Sequence, residues 1–416
     1  MSFRRAVAAN LGVQSLGPAC SFLTVFMIAR LGGPAQQGEF AQLKAWADFM
    51  FAIGCFGFPQ GFVYTINKLG ASPSALARWS RVYSVAFTPL AVIAGYMGLK
   101  LGFIRDIGPT PYRAVSMLGL AAAMLVLQGL WRGVYLTHNS RVPFALFTIL
   151  PAITLLIATG IGMTINWRKF AYIILLSAIA TVAISSRAMS PIIRSAEHVS
   201  YRKQPWRAIL SNGLHSFLQS ALQTAQPMAA YALLNSFGAA NQQVGFLSVG
   251  LLIVQGMSVP VTMVAPLLFA RWTSIDDHGL LARLHSFTCR YVGIGIVMGG
   301  VLAFAARFGV PFVFGSKYEA AVVPTELMLL TLPLVWHVRV LAPALHAQGH
   351  PMINTVAGMT RLGAFGLGTV ALTLVARNPL MATGAAWAVA EVVAAAWTLV
   401  NISALTAKRE SMVERL

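Results

Sequence analysis

Acidic side chains are scarce in this chain. Its 416 residues hold 11 Asp and Glu against 30 Lys and Arg, and only 10% of residues are charged. A soluble domain carries about 25%. With 57% of residues hydrophobic and gathered in long runs, a water-soluble enzyme of this length is excluded. Cysteine is equally sparse. Cys20, Cys55 and Cys289 each lie in or beside an apolar run, so they read as small buried hydrophobes. Neither a disulfide framework nor a metal site is expected from them. Catalytic signatures are missing too: there is no P-loop, no GxSxG, no HExxH and no paired metal ligands. The reading is therefore not an enzyme, with no catalytic residue, no metal and no cofactor. There is no soluble basic domain, so the basic excess does not point to nucleic acid.

Twelve apolar segments are present, near 10–29, 46–66, 82–100, 114–137, 143–165, 170–190, 208–236, 244–269, 287–306, 324–345, 352–376 and 380–406. They are about 20 residues long and do not alternate, so they are helices rather than barrel strands. Backbone groups in lipid must be satisfied within such helices. The expected fold is an all-α polytopic membrane protein with about twelve transmembrane helices. Turn chemistry separates the runs: Gly-Gly-Pro at 32–34, Ser-Pro at 72–73, Gly-Pro at 108–109 and Asn-Pro at 378–379. The first run leads directly into further spans, so no cleavable leader is expected. More Lys and Arg fall in the intervals on the side of the N-terminus, among them Arg4, Arg5, Arg78, Arg81, Arg202 and Lys203, than on the other side. The positive-inside rule then places both termini in the cytoplasm.

The longest connection, basic and near 191–207, divides the chain into an N-terminal lobe at 1–190 and a C-terminal lobe at 208–416. The halves echo each other. QQGEF at 36–40 matches QQVGF at 242–246, Asn10 matches Asn212, and Pro18 matches Pro227, all at an offset of about 205 residues. Both prolines are expected to break their spans. Six spans per half give a parallel repeat about an axis along the membrane normal, enclosing a central cavity.

Polar groups inside the spans mark candidate sites. Asn10, Gln14, Gly17 and Ser21 share a face of the first span, and Asn212, Ser216, Gln219, Gln223 and Gln226 share one of the seventh. Such amides face either a water-filled cavity or another helix as hydrogen-bonding glue. Three arginines lie inside spans, Arg132, Arg339 and Arg361, with Asp48, Glu326 and Glu391 as the accompanying acids. An intramembrane Arg costs about 2.5–3.5 kcal/mol, and its planar fork suits a diphosphate. The bland alternative is an Arg near a helix end that reaches the interface. Asp48 is either an ion-coupling site or the partner of Lys44 one turn back.

Five stretches in order resemble the polysaccharide-exporter branch of the multidrug/oligosaccharidyl-lipid/polysaccharide flippase superfamily, which includes O-antigen flippases. They are IARLGGPAQQGEFA (28–41), GAANQQVGFLSVG (238–250), FGSKYEAAVVPTELMLL (314–330), ALHAQGHP (344–351) and ATGAAWAVAEVV (382–393). The resemblance implies two six-helix lobes and alternating access. The implied substrate is an undecaprenyl-diphosphate-linked oligosaccharide, moved from the cytoplasmic to the periplasmic leaflet of the inner membrane. Arg30 matches an arginine that serves substrate binding in lipid II flippase members of the family. Many members carry an Asp in the seventh helix, whereas QTAQPMAAY at 223–231 holds no acid, so coupling to H+ or Na+ stays open.

The candidate substrate-binding residues are accordingly Arg30 and Arg339, then Arg132 and Arg361, with Asn10, Gln14, Gln219 and Gln223. The expected partners are the lipid-linked anionic sugar and membrane lipid, and the expected state is a monomer. The runner-up is a multidrug exporter of the same superfamily, which would want buried carboxylates for cationic drugs. A membrane polysaccharide polymerase or ligase ranks lower, because the outside loops are short.

Overall fold

The computed structural model describes residues 3–137, 141–194, 205–272, 280–347 and 350–413. Side chains at 3–11, 13–14, 141–146, 260, 262–272, 280–292, 294, 343, 346–347, 351 and 406–413 lie outside the description. The described residues form thirteen α-helices: α1 (Phe3–Cys55), α2 (Phe58–Leu69), α3 (Pro73–Lys100), α4 (Pro111–Tyr135), α5 (Arg141–Thr164), α6 (Phe170–Arg194), α7 (Trp206–Ser236), α8 (Asn241–Trp272), α9 (Leu280–Phe314), α10 (Val322–Leu330), α11 (Leu332–Ala347), α12 (Pro351–Ala376) and α13 (Pro379–Val413). This is the all-helical, two-lobed membrane architecture expected. Residues 16–245 make one compact unit; residues 246–416 with 1–15 make the other. Most of the basic segment 191–207 falls outside the described residues.

Among the described residues nine helices are long and apolar enough to cross a membrane, or ten if the bent pair Ser316–Leu330 and Leu332–Ala342 counts as one span. Two differences separate this from twelve. The first two expected spans follow each other with no loop between them: the backbone leaves the helix at Gly33 (φ 79°, ψ 180°), and two helices meet at a kink within the expected Gly-Gly-Pro turn. The seventh, α7, is helical but is not among the nine. Its amide stripe lowers its apolarity. The expected breaks at Pro18 and Pro227 are corrected, since both prolines lie inside continuous helices. A second interruption, at Phe56 (φ 41°) and Gly57 (φ 71°) between α1 and α2, lies inside a segment expected to be one span.

The other turns follow their residues. Ser72 caps α3 by accepting from the Ala75 amide at 3.3 Å, with Pro73 in the first turn. Asn378 Oδ1 accepts from the Met381 amide at 3.2 Å ahead of α13. Lipid-facing stripes appear at helical spacing. Phe304, Phe308 and Phe312 on α9 are exposed, as are Val82, Val85, Leu90, Ile93 and Met97 on α3. Apolar area of this size, unpaired in a chain of this composition, faces acyl chains.

Inside the unit 16–245, α4 packs on α3, α6 and α2, and α2 packs on α7. An aromatic cluster fills the space beside the α1–α2 break. Phe58, Trp79 and Tyr83 meet at centroid distances of 5.0, 5.3 and 4.8 Å, Trp206 lies 4.7 Å from Trp79, and Phe217 lies 4.4 Å from Phe56. Tyr83 Oη donates to the Gly54 carbonyl at 2.9 Å, fixing the end of α1.

Two glycine crossings bring backbone against backbone in this unit. A Cβ on Gly57 would overlap the Gly213 carbonyl, and one on Gly213 would overlap the Gly57 carbonyl. Likewise a Cβ on Gly38 would meet the Asn241 carbonyl, and one on Gly245 the Pro34 carbonyl. The second crossing joins the two stretches whose sequences echo each other, GPAQQGEF and NQQVGF.

The Gly57 crossing can be separated from simple backbone strain. Gly70 is also left-handed (φ 65°), yet a Cβ there meets nothing within 4 Å. Gly70→Ala should therefore cost about 1–2 kcal/mol from conformation alone. Gly57→Ala should add about 1–3 kcal/mol of overpacking. Thermal melts of the purified protein in detergent should show the larger loss for Gly57→Ala; equal losses would remove the close-packing account.

Candidate functional site

The unit 246–416 gathers charge in its apolar interior. Glu391, one turn beyond Trp387 on α13, is 1% exposed. Arg361, on α12, faces it with Nε 3.3 Å from Glu391 Oε2; the two side chains are 14% and 2% exposed. Arg339 on α11 is half-buried and close enough to interact electrostatically with both. Helix packing explains the convergence. α12 lies along α13, with Phe365 edge-on to Trp387 at 6.0 Å, and Asn354 Nδ2 donates to the Ala342 carbonyl at 3.0 Å to tie α12 to α11. Asn354, Arg361 and Phe365 fall on one face of α12, at steps of seven and four.

The cluster holds two guanidinium groups and one carboxylate, leaving one net positive charge. It is also incompletely hydrogen-bonded. Arg361 Nε, Glu391 Oε2 and Trp387 Nε1 are buried and find no hydrogen-bond partner among the described residues. Buried polar atoms without partners are uncommon and expensive, at about 1–3 kcal/mol each. Two of these atoms are the facing pair itself, which is held by charge, and the third is the Trp387 indole one turn earlier on α13. Among the described residues no three His, Cys, Asp or Glu side chains gather as metal ligands.

The remaining candidates are dispersed. Arg30 is exposed, one turn before the Gly33 kink. Arg132 is half-buried on α4, where Gly129 packs on Phe51 and Cys55 and Gly133 on Pro59. The two belong to the unit 16–245, whereas Arg339 and Arg361 belong to the other. Asn10 and Gln14 have side chains outside the described residues. On α7, Gln219 is half-buried, Gln223 is exposed and Gln226 is buried. Asp48 pairs with Lys44, four residues before it, with side chains 41% and 33% exposed. Of the two readings open for Asp48, this contact matches the local pair.

A further set of amides ties helices to turns in the unit 16–245. Gln42 Oε1 accepts from Asn235 Nδ2 at 2.7 Å and from the Arg105 amide at 3.2 Å, while Gln42 Nε2 donates to Asn241 Oδ1 at 2.7 Å. Asn235 also donates to the Phe103 carbonyl at 3.0 Å, and Asn241 to the Asp106 carbonyl at 2.8 Å. This knot fastens α1, the α3–α4 turn and the α7–α8 turn. Sequence reasoning missed Gln42 and Asn235. Asn235 stood as a lone amide in the apolar end of α7, whereas Gln42 lay in the polar stretch QQGEFAQLK at 36–44 and carried no separate signal.

No family model matches the chain, and no curated protein matches it. Solved structures do. The inward-facing form of a multidrug-resistance MATE family transporter of the MOP superfamily superposes with a TM-score of 0.73 at 15% identity, covering 94% of this chain and 95% of that one. The lipid II flippase MurJ in an inward closed conformation gives 0.74 at 13%, covering 96% and 87%. A MOP superfamily transporter from Pyrococcus furiosus, described as having a binding pocket of reverse polarity, gives 0.65 at 16%, covering 98% and 97%. The chain has the fold of the MOP superfamily transporters. These neighbours are transporters and flippases, not enzymes.

The Arg361–Glu391 pair can be tested by a double-mutant cycle. Removing one partner of a buried ion pair costs about 3–5 kcal/mol, whereas an apolar pair of similar volume is near neutral. Arg361→Met alone should lower the melting temperature markedly, and Arg361→Met with Glu391→Leu should recover most of it. Additive losses would mean that the two groups do not interact.

Proposed function

We propose that this protein is a flippase that moves an undecaprenyl-diphosphate-linked oligosaccharide from the cytoplasmic to the periplasmic leaflet of an inner membrane by alternating access. The observation that carries the reading is the charge of the buried cluster: two arginines, Arg339 and Arg361, against the single carboxylate of Glu391. Arginine stays charged and forks around phosphate oxygens in two parallel bonds. A diphosphate drawn to it replaces lost water with charge-assisted bonds. The chain-wide excess of 30 basic over 11 acidic residues has the same sign. Arg30 and Arg132 serve as further contacts for the lipid phosphates along the path. Gln219 and Gln223, with Asn10 and Gln14, contribute amide hydrogen bonds to the sugar. In this reading the lobes are residues 1–190 and 208–416, both termini are cytoplasmic, the protein works as a monomer, and an H+ or Na+ gradient drives it, with Asp48 the candidate coupling group.

Export of a cationic drug is the second reading. It draws on the MATE transporters among the structural neighbours and on Glu391, a carboxylate 1% exposed that could receive a cation. The charge balance of the cluster favours the anion.

The two readings part in cells lacking their own lipid-linked sugar flippase. Arg339→Gln and Arg361→Gln should each weaken substrate binding about ten- to a hundredfold, the loss of one charge-assisted bond. Surface polysaccharide should fall accordingly, with membrane abundance measured alongside. Arg→Lys should retain part of the export. Wild-type export from abundant Arg→Gln protein, with lost drug resistance after Glu391→Gln, would favour the drug exporter.

A further inference from the structure

We propose that Glu391 is a built-in competitor for the transported anion, occupying Arg361 when the site is empty and returning to it to expel the substrate. The inference rests on the reading of Arg339 and Arg361 as an anion site. Three observations carry it. First, the cluster is lopsided in access. The Glu391 side chain is 2% exposed and Arg361 14%, so the arginine is the more accessible partner of the two. Second, the pair is held by charge without a hydrogen bond between its facing atoms. At 3.3 Å, Arg361 Nε and Glu391 Oε2 both remain without hydrogen-bond partners among the described residues. A contact of that kind is exchanged at smaller loss than a bidentate, fully bonded pair. Third, Arg339 supplies a second positive charge beside the pair. A phosphate can therefore engage Arg339 first and compete for Arg361 afterwards.

The physical logic concerns release. Two unopposed guanidinium groups in an apolar interior would be costly when empty and would bind a multivalent anion too tightly for turnover. Passage through a membrane site requires binding strong enough to enter and weak enough to leave. A resident carboxylate lowers both extremes. It answers one arginine in the empty site, and its return offsets part of the substrate's attraction. The charged groups around Glu391 of α13 are Arg361 from α12 and Arg339 from α11. Glu326 of α10 and Arg307 of α9 are paired with each other at 2.5 Å. Glu391 is thus the anionic side chain of this cluster, and a positioning and release residue in place of a binding one.

The experiment measures binding of undecaprenyl diphosphate to purified full-length protein by thermal stabilisation, beside polysaccharide export in cells. Glu391→Gln should bind about tenfold more tightly and yet export more slowly. Glu391→Asp keeps the charge but draws it back by one methylene, and should shift both readouts the same way by a smaller amount. A residue needed only for folding would lose binding and export together. Tighter binding with slower export in either variant supports the competitor. Binding unchanged or weakened in both variants, while Arg339→Gln and Arg361→Gln still weaken it, overturns the competitor and leaves the anion site standing. Undiminished binding in both arginine variants removes the anion site, and the competitor with it.

Discussion

A charge carried into an apolar interior must be answered by another charge, and this constraint organises the molecule. The chain has few acids with which to answer its arginines. Where arginine enters the deep part of the unit 246–416, three helices converge so that one carboxylate meets two guanidinium groups. The packing of α12 on α13 and the Asn354 link to α11 exist around that encounter. The same rule explains the amide knot of the other unit. Gln42, Asn235 and Asn241 bond to each other and to backbone groups of the α3–α4 turn, so that this irregular turn is satisfied by side chains. Helices supply their own hydrogen bonds; the places between helices need borrowed ones.

What could be read from the sequence was whatever depends on local composition. Apolar runs gave the helices, and Ser72-Pro73 and Asn378-Pro379 gave their starts, because capping is decided within four residues. The Gly33 break was legible as an interruption, but not that two helices would meet there at a kink with no loop between them. Proline at the first position of a following helix satisfies the same pattern whether the chain turns away or bends. Phe56-Gly57 was not legible at all. Nothing in GCFGFP distinguishes a break from a buried span until α7 is seen lying across it. The reverse error occurred at Pro18 and Pro227, where helices run on through a proline as membrane helices readily do.

The candidate site divided along the same line. Arg339 and Arg361 were visible as costly residues in apolar surroundings, since the cost is a property of the single residue. Their meeting was not visible, because α11, α12 and α13 are joined by turns whose angles composition does not encode. Glu391 stood out as a rare acid, but its partner lay thirty residues away. The amide stripe of α7 drew attention by its length, whereas Gln42 and Asn235 meet across 193 residues and share no periodic face. Periodicity reports a face; it does not report what that face meets.

The glycine crossings have a mechanical consequence. At Gly57 and Gly213, and again at Gly38 and Gly245, the surfaces in contact are bare peptide groups. Side-chain interfaces interlock like gear teeth, and parting them requires each tooth to find a new rotamer. Peptide surfaces have no teeth. With no rotamer to give, the spacing of the helices is set by the backbone itself, and a displacement of one helix is passed undamped to the other.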